Sequence, residues 1–399
     1  MSLLPEIVVA GAVRTPIGRF GGGLAGVDAA GMGAAAAREA LRRACVAACE
    51  VDELIFGNAR QAGGGPNVAR QIGHRAGLPN ETPAFTVNKA CGSGLKAIVL
   101  AAQAIRCGEA RIVVAGGAES MSRLPHFAPG ARFGQPEGDL PLEDGMYRDG
   151  FMCPLCGQLM GATAETVAER YMITREDQDR YAALSQNRAE AARREGKFDA
   201  EIVAVETSDA RGGAAARVDR DEHPRDGVTP ESLAKLPPVF KPGGTVHAGN
   251  SSGITDGAAA VVVMAAEEAR RRRISPVFRL TGNASAGVAP EVMGMGPVPA
   301  TRKLAADLSL DLGDVDLIEL NEAFSAQVLA CQRELRLDMA RLNVNGGAIA
   351  LGHPIGASGA RIVVTLLHEM ARRKSRSGIA ALCISGGMGM AALFERADD

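Results

Sequence analysis

The segment that decides the fold is residues 84–97, AFTVNKACGSGLKA. Its first four residues predict a strand, and the alanine-rich continuation predicts a long helix after a sharp, glycine-rich turn. Cys91 then lies at or near the helix N-terminus, where unpaired backbone N–H groups and the helix dipole stabilise an anion. A thiolate in that place has a lowered pKa and is a ready nucleophile. The alternative is a small buried cysteine at a tight turn, the commoner case for any one cysteine.

The sequence around this segment alternates between predicted strands and helices up to about residue 120. Residues 7–10 and 112–115 are β-branched runs that predict buried strands, and residues 33–48 predict an amphipathic helix. From about 120 to 250 the sequence becomes rich in Pro, Gly, Arg and Asp. We interpret this zone as an insertion over the core.

Two features stand out within the insertion. Thr174, followed three residues later by a carboxylate, predicts a helix N-cap, and Gly196 suits the end of that helix. Residues 209–217 predict a loop or hairpin tip.

The α/β pattern returns after about residue 275. Strands are predicted at residues 315–320 and 379–384, and helices over 323–335 and from 358 to 372. In both outer zones a strand leads into a glycine-rich turn, which indicates two related halves. We divide the chain into three parts: an N-terminal core half (1–120, completed by 251–273), a loop domain (121–250) and a C-terminal core half (274–399).

Composition excludes several classes of protein. The 399 residues are 46% hydrophobic and 23% charged, which supports a sizeable core, and the 49 glycines follow no collagen-like period. A net charge of −2 favours neither nucleic acid nor an anionic membrane as a partner. Eight cysteines are too sparse for a disulfide scaffold, the N-terminus does not resemble a signal peptide, and no apolar run is long enough for a bilayer. We expect a cytoplasmic α/β enzyme.

Three further segments carry residues suited to chemistry. Residues 345–361, NGGAIALGHPIGASGAR, hold His353 in a glycine-rich loop, and residues 383–390, CISGGMGM, open with Cys383 at a predicted strand end. Residues 321–324, NEAF, lie where a strand gives way to a helix. A cysteine with a histidine can make and use a thioester, a second cysteine can serve as acid or base, and glycine N–H groups can hold an oxyanion.

Two other patterns have weaker interpretations. Gly92-x-Gly94-x-x-Ala97 and Gly387-x-Gly389-x-x-Ala392 satisfy the dinucleotide fingerprint, but neither has the acidic residue expected about 20 positions later. Cys153 and Cys156 form a single CxxC, which is poor evidence for zinc, so no metal is expected. A redox role for that pair is one interpretation, and two loop thiols without chemistry is the favoured one.

Taken together, residues 88–94, 321–324, 345–354 and 383–389 match the thiolase family in order and spacing, and the chain resembles thiolases over essentially its full length. The resemblance implies a five-layered αβαβα fold of two similar βαβαβαββ halves with an inserted loop domain, assembled as a homotetramer. It also implies reversible CoA-dependent thiolysis of 3-oxoacyl-CoA, with CoA and acyl-CoA as substrates and no tightly bound cofactor.

The resemblance assigns roles to the residues of these motifs. Cys91 would carry the acyl group, and His353 would take its proton and form a first oxyanion hole with a water held by Asn321. Cys383 would exchange a proton with the α-carbon of acetyl-CoA. The backbone N–H groups of Cys91 and Ser385 would form a second oxyanion hole. The contacts implied for CoA involve six residues: Ser252, Phe240, Arg225, Met160, Ala323 and Phe324.

Two departures from the family pattern bear on these assignments. Ser385 stands where the family usually has Gly, but only a backbone N–H is required there. Leu159 stands where acetoacetyl-CoA-specific members often have His, which favours longer 3-oxoacyl chains. The alternatives are an acetoacetyl-CoA-specific biosynthetic thiolase, a 3-oxoacyl synthase, and a non-catalytic acyl-CoA- or lipid-binding protein of the same fold.

Overall fold

The first part of the chain alternates strands with helices rich in alanine. The computed structural model describes residues 4–134, 137–208 and 215–397. In its N-terminal part the elements are β1 (Ile7–Arg14), β2 (Gly18–Arg19), α1 (Ala29–Arg43), β3 (Glu53–Gly57), α2 (Val68–Ala76), β4 (Ala84–Val87), α3 (Ser93–Arg106) and β5 (Ile112–Ser120).

The middle part consists of short hairpins and three helices. As predicted, Thr174 caps the longest helix by accepting the Asp177 N–H, and Gly196 (φ +68°) follows its end. Of the predicted hairpin tip, residues 215–217 lie in a strand, and residues 209–214 are outside the described residues. The elements are β6 (His126–Phe127), β7 (Glu143–Asp144), β8 (Met152–Cys153), β9 (Gln158–Leu159), α4 (Met160–Arg170), α5 (Arg175–Arg194), β10 (Val205–Ser208), β11 (Ala215–Val218) and α6 (Pro230–Ala234).

The last part returns to long strands and helices. Across the ranges that the structure describes, no helix is both long and apolar enough to cross a membrane. The elements are β12 (Thr255–Ala265), α7 (Ala266–Arg272), β13 (Phe278–Gly287), α8 (Pro297–Leu308), β14 (Leu317–Leu320), α9 (Ser325–Leu335), α10 (Ala348–Leu351), α11 (Ile355–Arg373), β15 (Ser377–Ile384) and β16 (Met388–Arg396).

The large sheet consists of two similar halves. One has the order β4-β3-β5-β12-β1 and the other β14-β15-β16-β13, and they meet where Val8 and Val9 of β1 pair with Arg279 and Phe278 of β13. In each half the strands on either side of the central helix in the chain (β3, β4 and β5; β14 and β15) pair in parallel, and the strands that close the half pair antiparallel. The two halves therefore follow one plan, as the sequence predicted.

Three hydrophobic cores separate the layers. The central core contains α3 and α11 together with side chains from both half-sheets. A second core packs α1 and α2 against the outer face of the first half-sheet, and a third packs α8 and α9 against the outer face of the second. The order of layers is thus helix, sheet, helix, sheet, helix, which is the predicted αβαβα arrangement.

The two central helices touch through their backbones. A Cβ atom on Gly94 would lie 2.7 Å from the backbone nitrogen of Ala360, and one on Gly359 would lie 2.5 Å from that of Leu95. Gly94 is the second residue of α3, and Gly359 is the fifth of α11. The N-termini of the helices therefore converge, and the residues that precede them are brought to one place.

Several predicted boundaries were wrong for local reasons. The helix predicted from residue 33 begins at Ala29, because the Asp28 side chain caps it by accepting the Gly31 N–H. That helix ends at Arg43, and Cys45 lies beyond it with a left-handed backbone. The strand predicted over 112–115 continues to Ser120, and the helices predicted from 323 and 358 begin at Ser325 and Ile355.

The helix contact gives a testable prediction. Gly94→Ala places a methyl group against backbone atoms that cannot move independently, so it should lower the free energy of unfolding by about 1–3 kcal/mol. Gly73→Ala on α2 is the matched control, because a Cβ there would meet only flexible leucine side chains at 3.4 Å and beyond. That substitution should be neutral or stabilising by up to about 1 kcal/mol. Urea unfolding of both variants measures the difference, and equal effects would contradict the backbone contact.

Candidate active site

Cys91 lies on a strained elbow between β4 and α3. Ala90, just before it, has a left-handed backbone (φ +46°), which L-residues adopt only when their surroundings hold them there. The Ala90 N–H donates to Asn88 Oδ1 at 3.0 Å. Ser93 Oγ accepts the Lys89 N–H at 2.8 Å and donates to the Ala90 carbonyl at 2.7 Å. These bonds fix the position of the buried Cys91 sulfur.

His353 immediately precedes α11 and has a defined tautomer. Ser358 Oγ donates its hydrogen to the Pro354 carbonyl at 2.9 Å, so it accepts a hydrogen bond from His353 Nδ1 at 2.5 Å. Nε2 therefore keeps its lone pair. Burial, together with the positive charges of Arg361 and Arg60, lowers the pKa of His353 to about 3. The imidazole is thus a neutral acceptor at physiological pH.

Asn321 lies beside the free nitrogen of His353. Its Nδ2 is 3.5 Å from His353 Nε2, and its Oδ1 is buried without a hydrogen-bond partner. A buried amide oxygen of this kind requires a donor, such as a water molecule or a substrate group. The pair accordingly forms a polar position that can accommodate a small oxygen-bearing group.

Cys383 approaches from the end of β15. A Cβ atom on Gly92 would lie only 2.5 Å from Ile384 Cδ1, so the segments holding Cys91 and Cys383 are in direct contact. Burial raises the pKa of the Cys383 thiol well above its ordinary value, and the nearby sulfurs of Cys91 and Cys331 raise it further. Cys383 is therefore a protonated thiol that faces a second thiol across the site.

The pKa of Cys91 differs from the sequence prediction. Burial raises the pKa of this thiol, although Arg60 and the backbone N–H groups of Ser385 and Cys91 itself act in the opposite direction. The predicted lowering was wrong because burial outweighs the N–H groups, and α3 itself begins only at Ser93, with Gly92 at its N-cap. Formation of a thiolate here requires a base. The two backbone N–H groups nonetheless point at the Cys91 sulfur from separate segments.

Most of the residues predicted to contact CoA lie together beside Cys383. Ala323, Phe324 and Cys383 belong to one apolar cluster, and Met160 and Phe240 pack against it. The Phe240 and Phe324 rings meet edge to face with centroids 6.3 Å apart. The Ser252 N–H donates to the Ala323 carbonyl at 3.0 Å, which brings the 248–253 loop to the same place. Arg225 is exposed and lies outside this cluster.

Sequence analysis missed a buried carboxylate that supports the site. Glu322 accepts hydrogen bonds from four groups. They are Tyr181 Oη at 2.7 Å, Ser185 Oγ at 2.6 Å, Asn343 Nδ2 at 3.0 Å and the Ile349 N–H at 3.1 Å. Glu322 belongs to the NEAF segment, but its partners lie far away in the sequence, so no local pattern indicates its role.

A second buried carboxylate, Glu119, holds the other side of the site. It accepts the Gly356 N–H of α11 at 2.7 Å, and it also binds Asn58 Nδ2 and the backbone N–H groups of Ala59 and Arg60. Arg60 in turn donates to the Gly150 carbonyl at 3.1 Å. The only signal for Glu119 in the sequence is a charged residue near the end of a hydrophobic strand.

In the part of the chain that the structure describes, no group of three or more His, Cys, Asp or Glu side chains could hold a metal ion.

Comparison with known protein families assigns the chain to one of them. The family described as "Thiolase, N-terminal domain" matches residues 7–267, and "Thiolase, C-terminal domain" matches residues 274–396. The chain belongs to the thiolase family. The first matched segment ends at the start of α7, after the last strand of the first half-sheet, and the second begins just before β13, the first strand of the other half.

Individual relatives agree with this assignment. This thiolase is 51% identical over 393 residues to an acetyl-CoA acetyltransferase of Cupriavidus necator, covering 98% of this chain and 100% of the relative. Among solved structures, it is similar to the acetyl-CoA acetyltransferase of Bacillus anthracis (TM-score 0.97, 41% identity, 100% of both chains). It is also similar to human mitochondrial 3-ketoacyl-CoA thiolase in complex with CoA (TM-score 0.94, 41% identity, 100% of this chain and 99% of that one). The protein is an acyltransferase with thiolase activity.

The buried histidine of this thiolase makes its stability depend on pH. The pKa of His353 is lowered from about 6.5 in an unfolded chain to about 3. Between these values only the unfolded chain binds the proton, so the free energy of unfolding falls as pH decreases below about 6.5. At about pH 5 the loss from His353 alone is about 2 kcal/mol.

Substitution of His353 tests this account. His353→Asn should lose less stability than the wild type between about pH 7 and pH 5 by urea unfolding. The pH dependence of the free energy of unfolding should become smaller but should not disappear, because burial also lowers the pKa of His223, His247 and His368. Exposed His74, changed to Asn, is the matched control. An unchanged pH slope in the His353 variant would contradict the lowered pKa.

Proposed function

We propose that this thiolase cleaves 3-oxoacyl-CoA with CoA to give acetyl-CoA and a shortened acyl-CoA, through an acyl group carried on Cys91. The reverse reaction condenses two acetyl-CoA molecules. The proposal rests on one observation: the helices that follow Cys91 and His353 touch through their backbones, the Cys91 segment contacts the Cys383 segment, and two backbone N–H groups meet the Cys91 sulfur. A non-catalytic binding protein would have no use for this convergence.

The first step uses Cys91 and His353. The neutral Nε2 of His353 takes the Cys91 proton as the sulfur attacks the 3-oxo carbon of the substrate. The carbonyl oxygen is one bond from the carbon that joins the Cys91 sulfur, so its negative charge is stabilised by the N–H groups of Cys91 and Ser385, which meet that sulfur.

The second role belongs to Cys383. As the bond between the α- and 3-carbons breaks, its electrons remain on the acetyl-CoA fragment as an enolate, and the Cys383 thiol protonates the α-carbon. A raised pKa suits this role, because the thiol is still protonated when the enolate forms. The negative oxygen of the enolate is stabilised by His353, now protonated, and by a water held at Asn321, whose unpartnered Oδ1 supplies an acceptor for such a water. The CoA thiol then gives its proton to the Cys383 thiolate and attacks the acyl carbon, and the Cys91 sulfur leaves and regains its proton from His353.

We assign CoA binding to the surface beside Cys383, with Ser252, Phe240, Met160, Ala323 and Phe324 as contacts and Arg225 near the phosphates. The packing of Phe240 and Met160 against the Cys383 cluster supports this assignment for the apolar part of CoA. Residues 121–250 would then act as a loop domain covering the site, between core halves 1–120 (with 251–273) and 274–399. A solved relative is described as a complex with CoA.

We further propose that the protein is a cytoplasmic homotetramer. The eight free cysteines are consistent with a reducing compartment. Phe133, Leu142 and Tyr147 are exposed within the middle part of the chain, which supports self-association through that part. Light scattering on the purified protein tests the tetramer directly, and a monomer at micromolar concentration would exclude it.

The division of labour between the two cysteines is testable by intact-mass analysis. Wild-type protein exposed to acetyl-CoA should gain one acetyl group on Cys91, and Cys91→Ser should gain none and should lose turnover. Cys383→Ser should still be acetylated but lose roughly 10²–10⁴-fold in turnover, because the proton donor is gone. Cys331→Ser, which alters another buried thiol, is the matched control and should keep its activity. Absence of acetylation in the wild type, or its loss in Cys383→Ser, would refute the scheme.

Chain length is testable through Leu159. Leucine tolerates an alkyl chain, whereas histidine has polar nitrogens that an alkyl chain would desolvate. Thiolysis by the wild type should therefore not fall sharply from acetoacetyl-CoA to longer 3-oxoacyl-CoA substrates. Leu159→His should reduce kcat/KM for longer substrates relative to acetoacetyl-CoA by roughly ten-fold. A wild-type maximum at acetoacetyl-CoA with a steep decline would instead favour the acetoacetyl-CoA-specific alternative.

A further inference from the structure

A pair of cysteines outside the proposed chemistry lies on the loop that covers the site. Cys153 ends β8, and Cys156 lies in the turn that leads to β9. The Gly157 N–H closes this turn by donating to the Cys153 carbonyl at 2.8 Å. Such a turn is one turn of helix that is not continued, so residues three apart lie on the same side. The two thiols accordingly interact through a side-chain hydrogen bond.

The two sulfurs differ in environment. Cys153 is buried, whereas Cys156 is partly exposed. Burial raises the pKa of the Cys153 thiol, but hydrogen bonds from the N–H groups of Cys156 and Leu155, from the Cys156 thiol and from the Gly386 N–H outweigh it, so that the net shift is downward. Burial and the bond to Cys153 raise the pKa of Cys156. Cys153 is therefore a buried thiol whose thiolate form is stabilised, and Cys156 is the more accessible thiol of the pair.

Gly386 connects this pair to the active site. It follows Ser385, whose N–H points at the Cys91 sulfur, and it lies three residues after Cys383. Gly386 and Gly387 both have left-handed backbones (φ +86° and +85°), which glycine adopts without strain. Leu155, between the two cysteines, also approaches Gly386: its Cδ1 is 3.8 Å from where a Cβ would lie.

We propose that Cys153 and Cys156 form a thiol–disulfide exchange site that reacts with low-molecular-weight disulfides. Cys156 attacks the disulfide RSSR, forming a mixed disulfide and releasing RS⁻, which leaves as RSH with the Cys156 proton. Cys153 then attacks the Cys156 sulfur, and the second RS group leaves as RSH with the Cys153 proton. The protein loses two electrons and two protons, and RSSR gains both.

Closure of this disulfide changes the turn after Cys383. The Cys153 sulfur becomes a weaker acceptor once it is bonded to Cys156, so the Gly386 N–H loses a partner. This coupling rests on the proposed function, because it acts through the Ser385 N–H and Cys383. Loss of one hydrogen bond corresponds to roughly a two- to ten-fold decrease in turnover if it is expressed fully in the transition state. Exchange at the cysteine pair is independent of that function.

Peptide mapping tests the exchange itself. Cys91→Ser protein, which lacks the catalytic thiol, is equilibrated with mixtures of glutathione and glutathione disulfide, alkylated and digested. We expect an internal Cys153–Cys156 disulfide at ratios where Cys45 and Cys49, an exposed pair without such a turn, are still alkylated. Adding Cys153→Ser should trap one glutathione on Cys156. Equal alkylation of both pairs at every ratio, or a mixed disulfide at Cys156 that never closes, would overturn the proposal.

Activity measurements test the coupling. Reduced Cys156→Ser should match the wild type in thiolysis, because Cys156 is outside the proposed machinery. After equilibration with glutathione disulfide, the wild type should lose roughly two- to ten-fold more activity than Cys156→Ser and recover it with dithiothreitol. Equal losses would exclude coupling to the active site. If the reduced wild type had no thiolysis at all, the proposed function would fail, and the mapping experiment would still report on the cysteine pair.

Discussion

The site depends above all on the backbone contact between α3 and α11. Gly94 and Gly359 allow the two helices to cross with no side chain between them, and Gly117 of β5 permits the same approach to Gly356 of α11. Because each helix follows directly on a reactive residue, this contact fixes the separation of Cys91 and His353. A larger residue at the crossing would displace a whole helix, and with it one half of the chemistry. Glycine is required here for close approach, and the backbone angles at Gly94 and Gly359 are ordinary.

Two buried carboxylates, Glu322 and Glu119, connect the other segments of the site to the place where α3 and α11 cross. Glu322 joins α5 of the middle part to Asn343 and to Ile349, which lies in the segment leading to His353. Glu119 ties the loop after β3 to the first turn of α11. Each carboxylate is surrounded by hydrogen-bond donors, as a buried acid must be if it is not to cost several kcal/mol. The two kinds of contact are thus complementary. The glycines let α3 and α11 approach with no side chain between them, and the hydrogen bonds of the two carboxylates fix the orientation of the neighbouring segments.

The sequence predicted those features that short segments determine. The strand–turn–helix around Cys91, the Thr174 cap and the repeat of strand and glycine-rich turn follow from neighbouring residues, and the structure has them. The sign of the Cys91 pKa shift was wrong, because burial comes from segments far away in the chain. Glu322 and Glu119 went unrecognised for the same reason: Glu322 binds Ser185, which is 137 positions away, and Glu119 binds Gly356, 237 positions away.

The two halves carry different side chains at corresponding positions, and this difference makes the site asymmetric. Asn58 follows β3 and Asn321 follows β14, the corresponding strand of the other half. In the first half the amide nitrogen is occupied by the Ala118 carbonyl and Glu119, so Asn58 fixes structure. In the second half the amide nitrogen faces His353, while the amide oxygens of both residues are buried without a partner. One topological position therefore holds a strand end in one half and faces the reactive histidine in the other. The difference lies in the neighbouring strand, which carries Glu119 in the first half and Cys383 in the second.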